Sequence, residues 1–230
     1  MTLHAAERLH ELLAALDPAL AGDAAGDLAA ALRLLRSSTV PDGPPIAVLV
    51  GPCGGGRSRV GNRLVGADVF PVGPLRPTTT ALAAAGSDGS ARLAALTPPP
   101  ALVTTTTGGL VVLDTPAWEH DPDGVAAALE VGDVAILVTS ALRYADRLTE
   151  EALAGAVAAG LPLAVVVTGV SAAAGAIRAG LAARVPPGTP LLLVEEGDEQ
   201  VLSRLAAGIT RHRDEIRAVG DATRLAAAVA

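Results

Sequence analysis

The chain changes rhythm once, at Ile46. Over residues 2–37 apolar positions recur at helical spacing, with Leu3, Leu9, Leu12, Leu13 and Leu16 on one face. Asp17-Pro18 ends that helix, and Asp23 or Asp27 can cap a second one running to about Arg36. Pro41, Gly43, Pro44 and Pro45 then mark a linker. From Ile46 short apolar runs alternate with amphipathic stretches. The runs Ile46–Val50, Gly109–Leu113, Val134–Thr139, Leu163–Val167 and Pro190–Val194 predict buried strands. Helices are predicted from the loop after the first run to about Gly66, then over Val125–Val131, Asp146–Ala159 and Ala172–Val185. A last helix runs from Glu199 to about Ala228, with a break expected at Gly208 or Gly220. Its apolar stripe is Val201, Leu205, Ile209, His212, Ile216 and Val219.

Between the first two strands the pattern is less regular. Phe70–Thr80 carries Pro71, Pro74 and Pro77 and reads as an extended loop. Thr80–Gly86 and Ala91–Leu96 are expected to pair as a hairpin around Ser87-Asp88-Gly89, with a turn at Thr97–Pro100. Strands alternating with helices imply a mostly parallel sheet covered by helices on both faces. In such sheets ligands bind at the carboxyl ends of the strands. The expected organisation is a helical segment over 1–40, an α/β domain over 44–197 and a helical segment over 198–230.

Composition narrows the picture. Half of the 230 residues are hydrophobic, yet there is one Phe, one Trp and one Tyr, so the core must be built from Ala, Val and Leu. A net charge of −7 argues against a general nucleic-acid binder. The single Cys excludes an internal disulfide and fits a reducing cytosol. Glu7 and Arg8 interrupt the N-terminus before any apolar leader forms, so a cytoplasmic location is expected. The charge-free run from Ala152 to Ile177 is long enough to cross a bilayer, but Pro162 and several glycines divide it into helix, strand and helix. The four histidines are scattered without ligand spacing, so no histidine metal cluster is expected.

The chemistry concentrates in three stretches. Gly51-Pro52-Cys53-Gly54-Gly55-Gly56-Arg57-Ser58 follows the first strand and opens a helix, at the spacing of a phosphate-binding loop. Consecutive glycines let N–H groups converge on an anion, and the helix adds its positive end. Arg57, with Arg59 beyond it, stands where such a loop carries lysine, and all 17 basic residues are Arg, so no lysine can substitute. Ser58 is placed to reach a magnesium ion. The second stretch, Leu113-Asp114-Thr115-Pro116-Ala117, puts an aspartate at a strand's carboxyl end, where magnesium is held, and a backbone N–H beside the terminal phosphate. The third, Pro77-Thr78-Thr79-Thr80, offers a switch threonine to complete the metal's oxygens, with the residues alone leaving open which of the three it is. The plain alternatives are a ligand-free tight turn at the loop, a turn-capping Asp114, and threonines of an ordinary strand or turn. The conjunction of the three stretches in this order outweighs them.

Together these stretches resemble the GTPase domain of bacterial dynamin-like proteins, particularly those of high-GC actinobacteria. Gly66–Gly73, Leu75-Arg76-Pro77-Thr78-Thr79, Leu113–Pro116 and Val138–Asp146 carry the match, with Arg143-Tyr144-Ala145-Asp146 among its more particular parts. The resemblance implies a Ras-like P-loop α/β fold with flanking helices packed together beside it. It also implies GTP, or another nucleotide, bound with Mg2+. The nucleotide-binding set would be Gly51, Cys53, Gly54, Gly55, Gly56, Arg57, Ser58, Arg59, Thr78, Pro116, Ala117 and Thr168, with Thr78 or Thr79 as the first switch. The metal ligands would be Ser58, Thr79 and Asp114, and Arg57 and Thr79 would serve any hydrolysis. A homodimer or a paralogous GTPase is the partner this implies, with any membrane association peripheral.

Three departures bear on activity. Arg57 replaces the loop lysine, and Ala117 replaces the second-switch glycine. Thr168-Gly169-Val170-Ser171 stands where an Asn/Thr-Lys-x-Asp motif reads guanine. Hydrolysis is therefore expected to be slow, with a degenerate GTPase acting as a binding module or partner subunit as the alternative, and an ATP-using P-loop protein as a further one. Cys53 reads as structural, with a thiolate activated by Arg57 and the helix end as its alternative. Trp118 reads as a packing residue, Arg143 as a surface or packing residue with action in cis on phosphate as its alternative, and Glu195 and Glu196 as solvent-facing.

Overall fold

The computed structural model describes residues 43–73, 79–87, 91–105, 109–171, 173–195, 200–214 and 216–217. The helices expected over 2–37, Thr78, and the end of the last expected helix lie outside them. The strands are β1 (Ile46–Val50), β2 (Ala83–Gly86), β3 (Leu102–Thr104), β4 (Val111–Asp114), β5 (Val134–Ser140), β6 (Leu163–Val170) and β7 (Leu191–Glu195). They form a seven-stranded sheet in the order β3-β2-β4-β1-β5-β6-β7. All pairings are parallel except β2 with β4, which puts Ala83 opposite Asp114.

β1 lies at the centre, with every residue from Ile46 to Val50 fully buried. A strand covered on both faces has no reason to alternate, and its unbroken apolar run reflects that. The helices are α1 (Arg57–Val65), α2 (Pro122–Val131), α3 (Arg147–Ala158), α4 (Ala174–Ala182) and α5 (Gln200–Arg211). α2, α3 and α4 pack on one face through Val125, Leu129, Leu153, Ile177 and Leu181. α1 and α5 lie side by side on the other, through Val60, Leu64, Leu202, Ala206 and Ile209. The buried stripe of α5 is thus centred on Leu202, Ala206 and Ile209, with Val201, Leu205 and Ile216 at its margin, and Gly208 does not break the helix. The charge-free run Ala152–Ile177 is divided among α3, β6 and α4, and no described helix is long and apolar enough to cross a membrane.

The expected hairpin at 80–96 does not form. β2 pairs with β4 instead, and Ala91–Ala95 is a short 3-10 helix. Leu93 and Leu96 are both buried, and residues three apart share a face on a 3-10 turn but not on a strand. The turn also carries the buried Arg92 to Asp133, which precedes β5. Asp133 takes a bond of 2.8 Å from Arg92 Nη1, one of 2.8 Å from the Ile46 N–H, and one of 3.3 Å from Arg217 Nε. Arg217 Nη2 reaches back to the carbonyls of Gly43 and Pro44 at 2.8 and 3.2 Å. One buried carboxylate therefore ties the start of β1, the β2–β4 connection and the chain beyond α5.

Removing a buried carboxylate strands its arginine in the interior. Asp133→Ala is expected to cost about 3–5 kcal/mol in urea denaturation. A loss below about 1 kcal/mol would contradict this role.

Candidate functional site

The loop between β1 and α1 is pressed onto the end of β5. A methyl group on Gly51 or Gly55 would lie 2.1 or 2.6 Å from the Val138 carbonyl oxygen, so glycine is required at both by space alone. From β6, the Thr168 hydroxyl lies 2.9 Å from the Gly55 carbonyl and 3.3 Å from that of Thr139. Thr168 therefore clamps the loop, and its hydroxyl is committed to backbone rather than to a base.

Gly56, with φ 92°, turns the chain into α1 without a capping side chain. α2 and α3, by contrast, begin under the carboxylates of Asp121 and Asp146. The N–H groups of Gly54, Gly56, Arg57, Ser58 and Arg59 have no hydrogen-bond partner among the described residues. They border a cleft of about 660 Å³ lined also by Cys53, Thr79, Ala117 and Thr168. Its far wall includes Leu142, Gly169 and Glu195, so Glu195 borders the cleft. Gly51, Gly55, Asp114 and Pro116 are buried behind these residues, and Arg59 is exposed at the rim. Thr78 lies outside the described residues.

Three oxygens converge beneath the loop. Asp114 Oδ2 takes hydrogen bonds from Ser58 Oγ at 2.7 Å and Thr79 Oγ1 at 3.0 Å, and the two hydroxyls are 3.1 Å apart. Asp114 is fully buried, and its Oδ1 has no hydrogen-bond partner. Oδ1 lies on the Arg57 side, 3.9 Å from its Nε, and Oδ2 is the oxygen that meets the two hydroxyls. Adjacent ligands of an octahedral Mg2+ with bonds of about 2.1 Å are about 3.0 Å apart, so this spacing fits Mg2+. Burial pushes the Asp114 carboxyl above its ordinary pKa, offset in part by the Ser58 bond, the Arg57 charge and the Thr79 bond.

Arg57 does not reach out as a free cation. Its Nη1 donates to the carbonyls of Gly51 and Pro52, both at 2.6 Å, and its Nε to that of Thr115 at 3.3 Å. Nε also lies 3.9 Å from Asp114 Oδ1. Burial lowers its pKa, countered by the charges of Asp114, Cys53 and Glu119.

After Asp114 the chain turns through Pro116 and Ala117. The Trp118 N–H donates to Gly51 O at 3.1 Å. Its indole fills a notch on α3, where a methyl on Gly155 would lie 2.0 Å from the ring. Trp118 is thus a packing residue. Two site residues were not assigned to the loop from sequence. Glu119 Oε1 accepts the Cys53 N–H at 3.0 Å. Arg143 Nη1 bonds the Cys53 carbonyl while its Nε holds Asp146 at 2.7 Å. Arg143 signalled itself by the stretch around it, but a lone glutamate in an irregular turn carries no such signal.

No protein-family model and no curated protein sequence matches this chain. Solved structures do match its fold. Era, in complex with MgGDPNP and nucleotides 1506–1542 of 16S ribosomal RNA, aligns with a TM-score of 0.56 and 18% identity, over 73% of this chain and 56% of Era. The bacterial selenocysteine-specific elongation factor EF-Sec aligns with a TM-score of 0.55 and 16% identity, over 76% of this chain and 29% of the factor. The chain therefore spans about half of one protein and under a third of the other. What this chain shares with both is the fold, a mostly parallel α/β sheet with helices around it.

Because Asp114 holds its proton more tightly folded than unfolded, its contribution to stability rises as pH falls. In EDTA at neutral pH, Asp114→Asn is expected to match or exceed the wild type in urea denaturation, with the difference closing as the pH is lowered. A neutral-pH loss of more than about 1 kcal/mol would contradict a functional carboxylate held at a cost in stability.

Proposed function

We propose that this chain is a nucleotide-binding module of the P-loop GTPase type that holds GTP, or another nucleotide, with Mg2+ and turns it over slowly if at all. The single observation that carries this reading is the convergence of the Ser58, Thr79 and Asp114 oxygens beneath a row of loop N–H groups that have no partner among the described residues. The N–H groups and the uncapped end of α1 would bind and orient phosphates. Ser58, Thr79 and Asp114 would hold Mg2+, whose chemistry here is to neutralise phosphate charge.

Slow turnover is supported by Arg57, whose Nη1 is spent on two loop carbonyls. A guanidinium held that way is not poised to follow charge as it develops on a transferring phosphoryl group. The indole of Trp118, packed against α3, leaves that residue unable to position water. We further propose kinship with bacterial dynamin-like GTPases. Its support is the sequence around Arg143 and Asp146, where Arg143 binds the loop. That kinship would supply a homodimeric or paralogous GTPase partner, peripheral membrane contact and a cytoplasmic location.

Calorimetric titration of GTP, GDP, ATP and ADP, with Mg2+ and with EDTA, tests the binding reading and ranks the bases. Binding is expected to be Mg2+-dependent, and Ser58→Ala should weaken it about tenfold, the loss of roughly one charge-assisted contact. No heat with any nucleotide would refute the reading. Rapid multiple-turnover phosphate release that Arg57→Ala abolishes would refute the slow-turnover part.

A further inference from the structure

The phosphate loop is satisfied internally along its leading half and open along its trailing half. In the leading half, Gly51 O accepts from Arg57 Nη1 at 2.6 Å and from the Trp118 N–H at 3.1 Å. Pro52 O accepts from Arg57 Nη1 at 2.6 Å and from the Gly55 N–H at 3.2 Å. The Cys53 backbone is held on both sides, its N–H donating to Glu119 Oε1 and its carbonyl accepting from Arg143 Nη1. In the trailing half, the N–H groups of Gly54, Gly56, Arg57, Ser58 and Arg59 have no partner among the described residues.

Glu119 is therefore an anion already seated on a phosphate-binding loop. Its second oxygen, Oε2, is shielded from solvent and has no hydrogen-bond partner. The carboxylate is also close enough to Arg57 to act on its charge. Its position is fixed by packing: Trp118, the preceding residue, is anchored in the Gly155 notch, and the turn closes with His120 N–H on Ala117 O at 2.8 Å. The Cys53 end of the loop faces the segment after Asp114, and Cys53 and Ala117 both line the cleft there. The backbone of such a loop cradles the β- and γ-phosphates. The phosphates nearer the sugar lie on the helix end.

We infer that Glu119 occupies the terminal-phosphate position and makes the site select a nucleoside diphosphate over the triphosphate. The inference rests on the nucleotide-binding reading above. A triphosphate would have to displace the carboxylate from the Cys53 N–H or lie against it as a like charge in a partly dry site. A diphosphate needs only the open N–H groups and the Ser58 end of the metal site. Two features that look like decay, the retracted Arg57 and the ordinary turn after Asp114, then belong to one arrangement: the leading half holds itself closed.

The test is calorimetry on the full chain with Mg2+, using GDP against a non-hydrolysable GTP analogue, and ADP against an ATP analogue. The wild type is expected to bind its diphosphate at least about tenfold more tightly than the triphosphate. Glu119→Ala should shrink that ratio about tenfold or more by tightening triphosphate binding. Glu119→Gln, which keeps an oxygen for the Cys53 N–H but removes the charge, should shrink it by a smaller factor and carries the test if the alanine variant fails to fold. Equal affinities in the wild type would overturn the inference, as would a diphosphate preference that neither variant changes. Absence of binding by every nucleotide would instead refute the nucleotide reading itself.

Discussion

Asp114 is the constraint from which the site is built. It ends β4 with no exposure to solvent, and its hydrogen bonds draw together the first residues of α1 and the loop that carries Thr79. A fully buried carboxylate has to be satisfied or neutralised; here Oδ2 is hydrogen-bonded, while Oδ1 has the Arg57 charge at 3.9 Å and no hydrogen bond among the described residues. Burial raises its pKa, the mark of a charge kept against its solvation preference. The parallel strands make this possible: β1 and β4 run side by side, so Gly51 and Asp114 leave the sheet at the same edge.

Arg57 shows how a charge-conserving replacement changes a site. A lysine would present a compact ammonium on a flexible stem, whereas the forked guanidinium finds two carbonyls on its own loop and lies near Asp114. The positive charge remains, but it is spent on holding the leading half of the loop. Arg143 and Thr168 brace the same loop from β5's following turn and from β6. Among the described residues, the loop's open backbone donors are the N–H groups of Gly54, Gly56, Arg57, Ser58 and Arg59.

The central sheet was legible in the sequence because each parallel strand is a short apolar run buried on both faces, as in Ile46–Val50 and Val134–Ser140. The loop and Asp114 were legible because glycine spacing and a charge closing an apolar run are local signals, whereas the threonine run did not say that Thr79 would be the one to bond Asp114. The β2–β4 connection was not. Ala91–Leu96 looks like a strand by composition, and what decides otherwise is the tertiary pull of Asp133 on Arg92 and the burial of Leu93 and Leu96 together. The direction Arg57 takes was equally hidden, since it depends on which carbonyls the folded loop turns inward. Glu119 left no trace because its meaning comes from a long-range contact with the Cys53 N–H.

The proposed function makes the trailing half of this loop an open phosphate cradle and the leading half a closed one. Residue-resolved amide hydrogen exchange, with and without Mg2+ and GDP, measures this directly. Protection is expected to rise at Gly54, Gly56, Arg57, Ser58 and Arg59, with Cys53 already protected in the free protein. Exchange at those trailing amides unchanged by saturating nucleotide, or a Cys53 amide that becomes protected only when nucleotide binds, would contradict it.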